Sequence, residues 1–299
     1  MQALPAGACD AHLHVFDPRF GTRFDTRFGA HATAADYAQL RGAMGLERAV
    51  IVQPRAHGTD NRATLQAIGS LGASRTRGIA VVHPDITDAQ LQALHDGGIR
   101  GIRFSLHTEH DAAVRLDMLE PLAERIAALG WHVQLHWLAS QIEAHAALLQ
   151  RLPCTLVFDH MARLADSADG AGVHEPAFGV VRGLVQQGRA WVKLSGPYLN
   201  SRAGLAAGYA DCDALAQAWV SEAPQRLVWG SDWPHVTEAA RPPTPPGCWR
   251  CCRAGFPMRR CAPACWCTTP PSCTDSIEGA GHASLAAQVF TIEQQETET

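Results

Sequence analysis

Short apolar runs alternate along this chain with longer stretches in which apolar residues recur every three or four positions, the pattern of strands each followed by an amphipathic helix. Eight runs read as strands: Ala8 to Val15, Arg48 to Gln53, Gly78 to Val82, Gly101 to Ser105, His132 to His136, Thr155 to His160, Trp191 to Ser195 and Arg226 to Ser231. Between them, Leu119, Leu122, Ile126 and Leu129 mark one face of a helix over Leu116 to Leu129, and another helix is expected over Ser140 to Leu152. Repetition of this unit predicts an α/β fold with a parallel sheet walled by helices, and eight repeats make a (β/α)8 TIM barrel.

Length agrees with one such barrel, which takes about 250 residues of the 299 present. A net charge of -4 leaves no basic surplus, so neither nucleic acid nor an anionic membrane is an expected partner. The start, Met1-Gln2-Ala3-Leu4-Pro5, lacks the charged and apolar regions of a signal peptide, and no run reaches transmembrane length. A cytoplasmic location is the expectation; the oligomeric state is left open.

Barrel enzymes work at the C-terminal ends of their strands, and here those ends are crowded with polar groups. They are His12 and His14; Gln53; Arg103 and Ser105; His136; Asp159 and His160; Lys193, Ser195 and Tyr198; and Asp232 and His235. Residues two apart on a strand point the same way, so His12 and His14 aim two imidazoles at one point. Asp232, at the end of the last strand, can bring a carboxylate to that point as metal ligand or general base. A lone strand-end His or Asp is as well explained by loop capping; six of eight ends with titratable groups point to a site.

Six blocks carry a further likeness: Asp10-Ala11-His12-Leu13-His14-Val15-Phe16-Asp17, Gly101-Ile102-Arg103-Phe104, Gly130-Trp131-His132-Val133-Gln134-Leu135-His136, Phe158-Asp159-His160-Met161, Val192-Lys193-Leu194-Ser195-Gly196 and Trp229-Gly230-Ser231-Asp232-Trp233-Pro234. In this order they make the chain resemble, over about residues 8 to 240, the amidohydrolase superfamily, in the branch of 2-pyrone-4,6-dicarboxylate lactonases and sugar-acid lactone enzymes. The resemblance implies a metal-dependent-hydrolase-like barrel in which activated water opens a small carboxylated or sugar-acid lactone. Carried over by motif, His12, His14, His160 and Asp232 form the catalytic core, with Asp232 taking the proton of water and the imidazoles polarising the carbonyl. Arg103, Lys193, Ser195 and Tyr198 are the implied substrate-binding groups, a guanidinium being well shaped for a carboxylate. Gln53 is a further candidate for substrate binding. The expected partner is a small anionic lactone.

Metal use divides the superfamily. Lactonases of this branch look able to work without a metal, whereas other members hold a divalent ion. His12, His14, His136 and Asp232 together make a plausible zinc set of three nitrogens and one oxygen. His136 reads equally well as a substrate contact or as packing beside Trp137. Lys193 is the chain's single lysine and has a different place in the motif order from a bridging carbamylated lysine, so the expectation is one divalent metal, zinc first, or none. The alternatives to a lactonase are a metal-dependent decarboxylase or amide hydrolase of the same superfamily, and a damaged barrel that binds without turnover.

Composition changes abruptly after Arg241-Pro242-Pro243-Thr244-Pro245-Pro246: seven of the ten cysteines lie beyond it, with no helical or strand period. The spacing lacks two clean Cys-x-x-Cys pairs, and a cytoplasmic chain should not carry disulfides. A shifted reading frame accounts for the segment better. Read across codon boundaries, Cys265-Trp266 must give Leu and Trp266-Cys267 must give Val, and degeneracy allows a continuation that looks like the usual ending of the family. The expected division is therefore a barrel over residues 1–246 and a disordered, frameshifted Cys/Pro-rich tail over 247–299 that lacks the last barrel helix.

Overall fold

The computed structural model describes residues 4–23, 32–164 and 176–238. Eight parallel strands follow one another in chain order around a single sheet. They are β1 (Cys9–Leu13), β2 (Arg48–Val52), β3 (Thr76–Ala80), β4 (Ile99–Ser105), β5 (His132–His136), β6 (Leu156–Phe158), β7 (Ala190–Leu194) and β8 (Leu227–Trp229). The ring is closed past the strand ends, where Leu13 bridges Trp233 in parallel. Helices α1 (Ala34–Met44), α2 (Arg62–Leu71), α3 (Asp88–Asp96), α4 (Leu119–Ala127), α5 (Ala139–Ala144), α6 (Ala146–Arg151), α7 (Pro176–Gln186) and α8 (Asp213–Glu222) connect them. This is a (β/α)8 TIM barrel.

Local chemistry sets the helix ends. Thr33 caps α1 in a reciprocal box with Asp36, and Thr87 does the same for α3 with Gln90, pairing N-terminal amides that the helix leaves open. In α4, Leu119, Leu122 and Ile126 are fully buried against the sheet, each contributing roughly 2 kcal/mol through removal from water. A short 3-10 turn over Leu116–Met118 precedes α4 where the periodicity predicts continuous helix. The helix expected over Ser140 to Leu152 is broken in two at His145, whose backbone leaves the helical region.

Strand ends differ from expectation where they build the site. β6 stops at Phe158 and β8 at Trp229 because the next residues turn away, with His160 and Asp232 at φ 54° and 57°. β3 begins two residues earlier than its apolar run, since Thr76 and Arg77 pair with Ala49 and Val50 despite their polarity. The expectations for the tail after residue 246 and for the last barrel helix fall outside the described residues. No helix among the described residues is long and apolar enough to cross a membrane.

Candidate active site

The seam between β1 and β8 carries the centre of the site. The His14 amide donates to Trp233 O and the Asp232 amide to His12 O, both at 2.8 Å. Below them Asp10 clamps the two strands: Oδ1 accepts from the amides of His12 (3.1 Å) and Ser231 (2.9 Å), and Oδ2 from Ser231 Oγ (2.5 Å) and the Tyr37 hydroxyl (3.0 Å). Burial pushes the Asp10 carboxyl up to about 6, against the opposing effect of these donors. A Cβ at position 230 would lie 2.5 Å from the Cβ of His12, so Gly230 gives His12 its room.

On this seam His12 Nε2, His14 Nε2 and Asp232 Oδ1 converge, 3.3 Å apart between the nitrogens and 3.4 and 3.5 Å from each nitrogen to the oxygen. His14 Nδ1 lies 2.8 Å from the Val52 carbonyl. A carbonyl only accepts, so that proton sits on Nδ1 and Nε2 presents its lone pair to the other two groups. Tetrahedral ligands about 2.0–2.2 Å from a zinc ion stand about 3.3–3.6 Å from one another, so these three donors fit a metal. Burial, with Lys193 adding to it, holds the His12 imidazole well below its ordinary range and therefore neutral. Burial alone would raise Asp232, but the surrounding imidazoles, His160 first, favour its ionised form and keep its carboxyl well below the usual carboxylate range. Tyr198 donates its hydroxyl to Asp232 Oδ2, leaving Oδ1 to the imidazoles.

The end of β6 brings in a third imidazole through left-handed backbone. His160, Met161, Ala162 and Arg163 have φ of 54°, 56°, 62° and 55°. Such a turn costs roughly 1–2 kcal/mol per non-glycine residue and needs outside support. Asn200 Nδ2 supplies it at His160 O (2.9 Å) and Trp219 Nε1 at Met161 O (3.3 Å). The turn sets His160 Nδ1 at 3.0 Å from Ser195 Oγ and 4.0 Å from Asp232 Oδ2. A Cβ on Gly196, itself at φ +51°, would stand 2.7 Å from that nitrogen. Burial lowers His160 to about 4, opposed by Asp232 and Asp159 and reinforced by Arg103 and Arg163. One carboxylate held ionised thus faces the neutral imidazoles of His12 and His160.

Several substrate-binding candidates lie beneath or beside this centre. Arg103 donates through Nε (3.1 Å) and Nη2 (3.0 Å) to Asp159 Oδ2 and approaches His136 Nδ1 (3.2 Å). Lys193 is buried, bonded to Ala11 O and Gln134 Oε1. Gln53 is not brought to the cluster: its amide donates to Gly58 O and Asp60 O and accepts from Thr64, fastening the loop after β2. His136 stands apart from the metal-like triad as well, its Nδ1 beside Ser105 Oγ and Arg103 and its Nε2 3.3 Å from Arg163 Nη1.

Residues 9–255 match the family described as amidohydrolase. The chain belongs to that family. Over 243 residues it is 38% identical to 2-pyrone-4,6-dicarboxylate hydrolase of Comamonas testosteroni, covering 78% of each chain. It is 32% identical over 237 residues to 4-sulfomuconolactone hydrolase of Rhizobium radiobacter, covering 78% of this chain and 77% of the other. A crystal structure of an Agrobacterium tumefaciens protein superposes with a TM-score of 0.80 at 25% identity, covering 91% of this chain and 97% of that one.

Within this amidohydrolase, four residues important to the site had no role assigned from sequence. Asp10 sits inside a quoted motif, yet its part in closing the ring exists only when β8 arrives beside β1. Asp159 reads as one more strand-end acid; folded, its buried carboxylate gathers Arg103, Gln134, His12 and Lys193. Arg163 reaches the site through the left-handed turn, which no local pattern announces. His107 stacks on His136 with ring centroids 3.9 Å apart, and burial with the nearby Arg55, Arg163 and Arg103 lowers it to about 3. The Ser105-x-His107 spacing at the end of β4 is the signal that could have found it.

Proposed function

We propose that this amidohydrolase opens a small lactone bearing acidic groups by attack of activated water. The observation that carries the reading is an ionised carboxylate, Asp232, at the end of β8, set 3.4 to 4.0 Å from three imidazoles, two from the end of β1 and one from the turn after β6. An ionised carboxylate beside neutral imidazoles can take a proton while the imidazoles supply hydrogen bonds. The identities of 38% and 32% to two lactone hydrolases support the lactone as the substrate class.

In this reading Asp232 Oδ1 takes a proton from water while the water oxygen bonds to the lactone carbonyl carbon. Hydrogen bonds from the imidazole side hold the charge that develops on the carbonyl oxygen. The ring C–O bond then breaks, and the proton on Asp232 passes to the departing oxygen. Water adds across the ester, and Asp232 ends ionised as it began. His160, fixed by Ser195, faces the same space, and Arg163, half-buried beside His136, supplies positive charge for substrate acids. Tyr198 keeps Asp232 oriented and Ser195 keeps His160 oriented.

His12 Nε2, His14 Nε2 and Asp232 Oδ1 would hold a divalent ion, zinc by the chemistry of two imidazoles and one carboxylate, and it would polarise a carbonyl or lower the pKa of bound water. The deciding experiment is turnover of 2-pyrone-4,6-dicarboxylate, 4-sulfomuconolactone and sugar lactones, before and after chelation, with Asp232→Asn alongside. The expected result is hydrolysis of an acid-bearing lactone that Asp232→Asn abolishes. Failure to open any member of the panel, with or without added zinc, overturns the lactonase reading.

A further inference from the structure

Lys193 stands in an unusual place for the chain's single lysine: 3% exposed, inside the barrel, under the histidine cluster. An ammonium has three N–H bonds and accepts nothing. Here Nζ lies 2.8 Å from Gln134 Oε1, 2.9 Å from Ala11 O, 3.3 Å from His12 Nδ1 and 3.5 Å from Asp159 Oδ1. The Ala11 carbonyl lies where the β1–β2 register shifts, between Asp10 and Leu13. Asp159 Oδ1 is 3.3 Å from the same His12 Nδ1, and its buried negative charge is paired with the Lys193 ammonium.

We infer that Lys193 is a positioning residue that fixes the tautomer of His12, donating to Nδ1 so that the ring proton is on Nε2. The rest of the seam agrees with this assignment. His14 Nε2 carries a lone pair, because its Nδ1 donates to Val52 O, and Asp232 Oδ1 is an acceptor; both lie within 3.4 Å of His12 Nε2 and leave it the role of donor. His12 then offers an N–H to the reacting centre of the metal-free protein. A metal ion on His12 Nε2 requires the opposite tautomer, with the proton on Nδ1 facing Asp159 Oδ1, which is placed to receive it. Lys193 therefore favours the metal-free arrangement and weakens metal binding. The inference concerns the resting protein and does not depend on which lactone is opened.

The test is nitrogen-15 NMR of the histidine rings in the full-length, metal-free chain at neutral pH, with the His12 signals assigned by their loss in His12→Gln. The expected spectrum has an unprotonated Nδ1 and a protonated Nε2 on His12; a protonated Nδ1 in the wild-type protein overturns the inference whatever the variants do. In Lys193→Met, of the two groups facing Nδ1 only Asp159 Oδ1 is left, so the share of His12 protonated on Nδ1 should rise, and zinc ion alone, measured by competition with a chelating dye, should bind about 10–100-fold more tightly. Lys193→Gln keeps an N–H for Ala11 O without the charge and serves where the Met variant does not fold. An unchanged His12 spectrum together with unchanged zinc affinity in a folded variant also overturns it.

Discussion

Replacing Asp10 separates the hydrogen-bonding role of its carboxylate from the role of its charge. In Asp10→Ala the amides of His12 and Ser231 lose their acceptor inside the barrel seam and have no freedom to turn elsewhere. Each orphaned buried donor costs about 1–3 kcal/mol, and the hydroxyls of Ser231 and Tyr37 lose a charged partner as well, so the total is about 3–6 kcal/mol. That is a large part of the stability of an ordinary domain, about 5–15 kcal/mol. Asp10→Asn behaves differently. Its amide oxygen can serve both backbone donors, while its NH2 donates to the two hydroxyls, which rotate to accept. It also removes a charge whose burial moves the carboxyl from 3.8 to about 6, an effect worth about 3 kcal/mol at neutral pH. Both substitutions remove that charge, so urea unfolding at pH 7 should show Asp10→Ala about 3–6 kcal/mol below Asp10→Asn, with Asp10→Asn no less stable than wild type. A gap of less than about 1 kcal/mol between the two variants refutes the clamp. An Asp10→Asn variant clearly less stable than wild type refutes the accounting of charge.

Asp232→Asn should keep the wild-type circular dichroism and lower kcat by about 10²–10⁴-fold, the contribution of a general base; wild-type rates would remove the mechanism. Arg163→Met should raise KM for acid-bearing lactones with little change in unfolding midpoint. Arg103→Met should add a loss of about 3–5 kcal/mol, because Asp159 would keep its buried charge with a main partner gone; equal stability of the two variants would place Arg103 at the substrate instead. Acid should unfold the protein early: His132 and His160 sit at about 3 and 4 against an ordinary 6.5, so below pH 6.5 the unfolded chain binds more protons and stability present above that pH is lost toward pH 4. Asp10, raised to about 6, works the other way with one proton, and the further buried imidazoles His12 and His136, both lowered, leave a net loss of at least about 1.4 kcal/mol per pH unit. Midpoints in urea that do not fall between pH 6.5 and 4.5 would contradict these shifts.

Sequence by itself determined the barrel and pointed to the centre of the candidate site, because both depend on periods that a strand or helix imposes locally. The alternation of apolar runs placed all eight strands within a few residues, and the spacing of two put His12 and His14 on one face. Asp232 was legible for the same reason, as the acid at the last strand end. Only the tertiary structure decided which strand-end groups meet. Gln53 and Lys193 look like site residues in the chain, yet one fastens a loop and the other lies under His12. Arg163 looks like a loop residue and reaches His136 through four left-handed residues held by Asn200 and Trp219 from distant segments. Asp10, Asp159 and the tautomer of His12 depend on partners up to 221 residues away. A buried charge takes its meaning from the donors and acceptors that closure of the ring brings around it, and burial itself is a property of the assembled barrel.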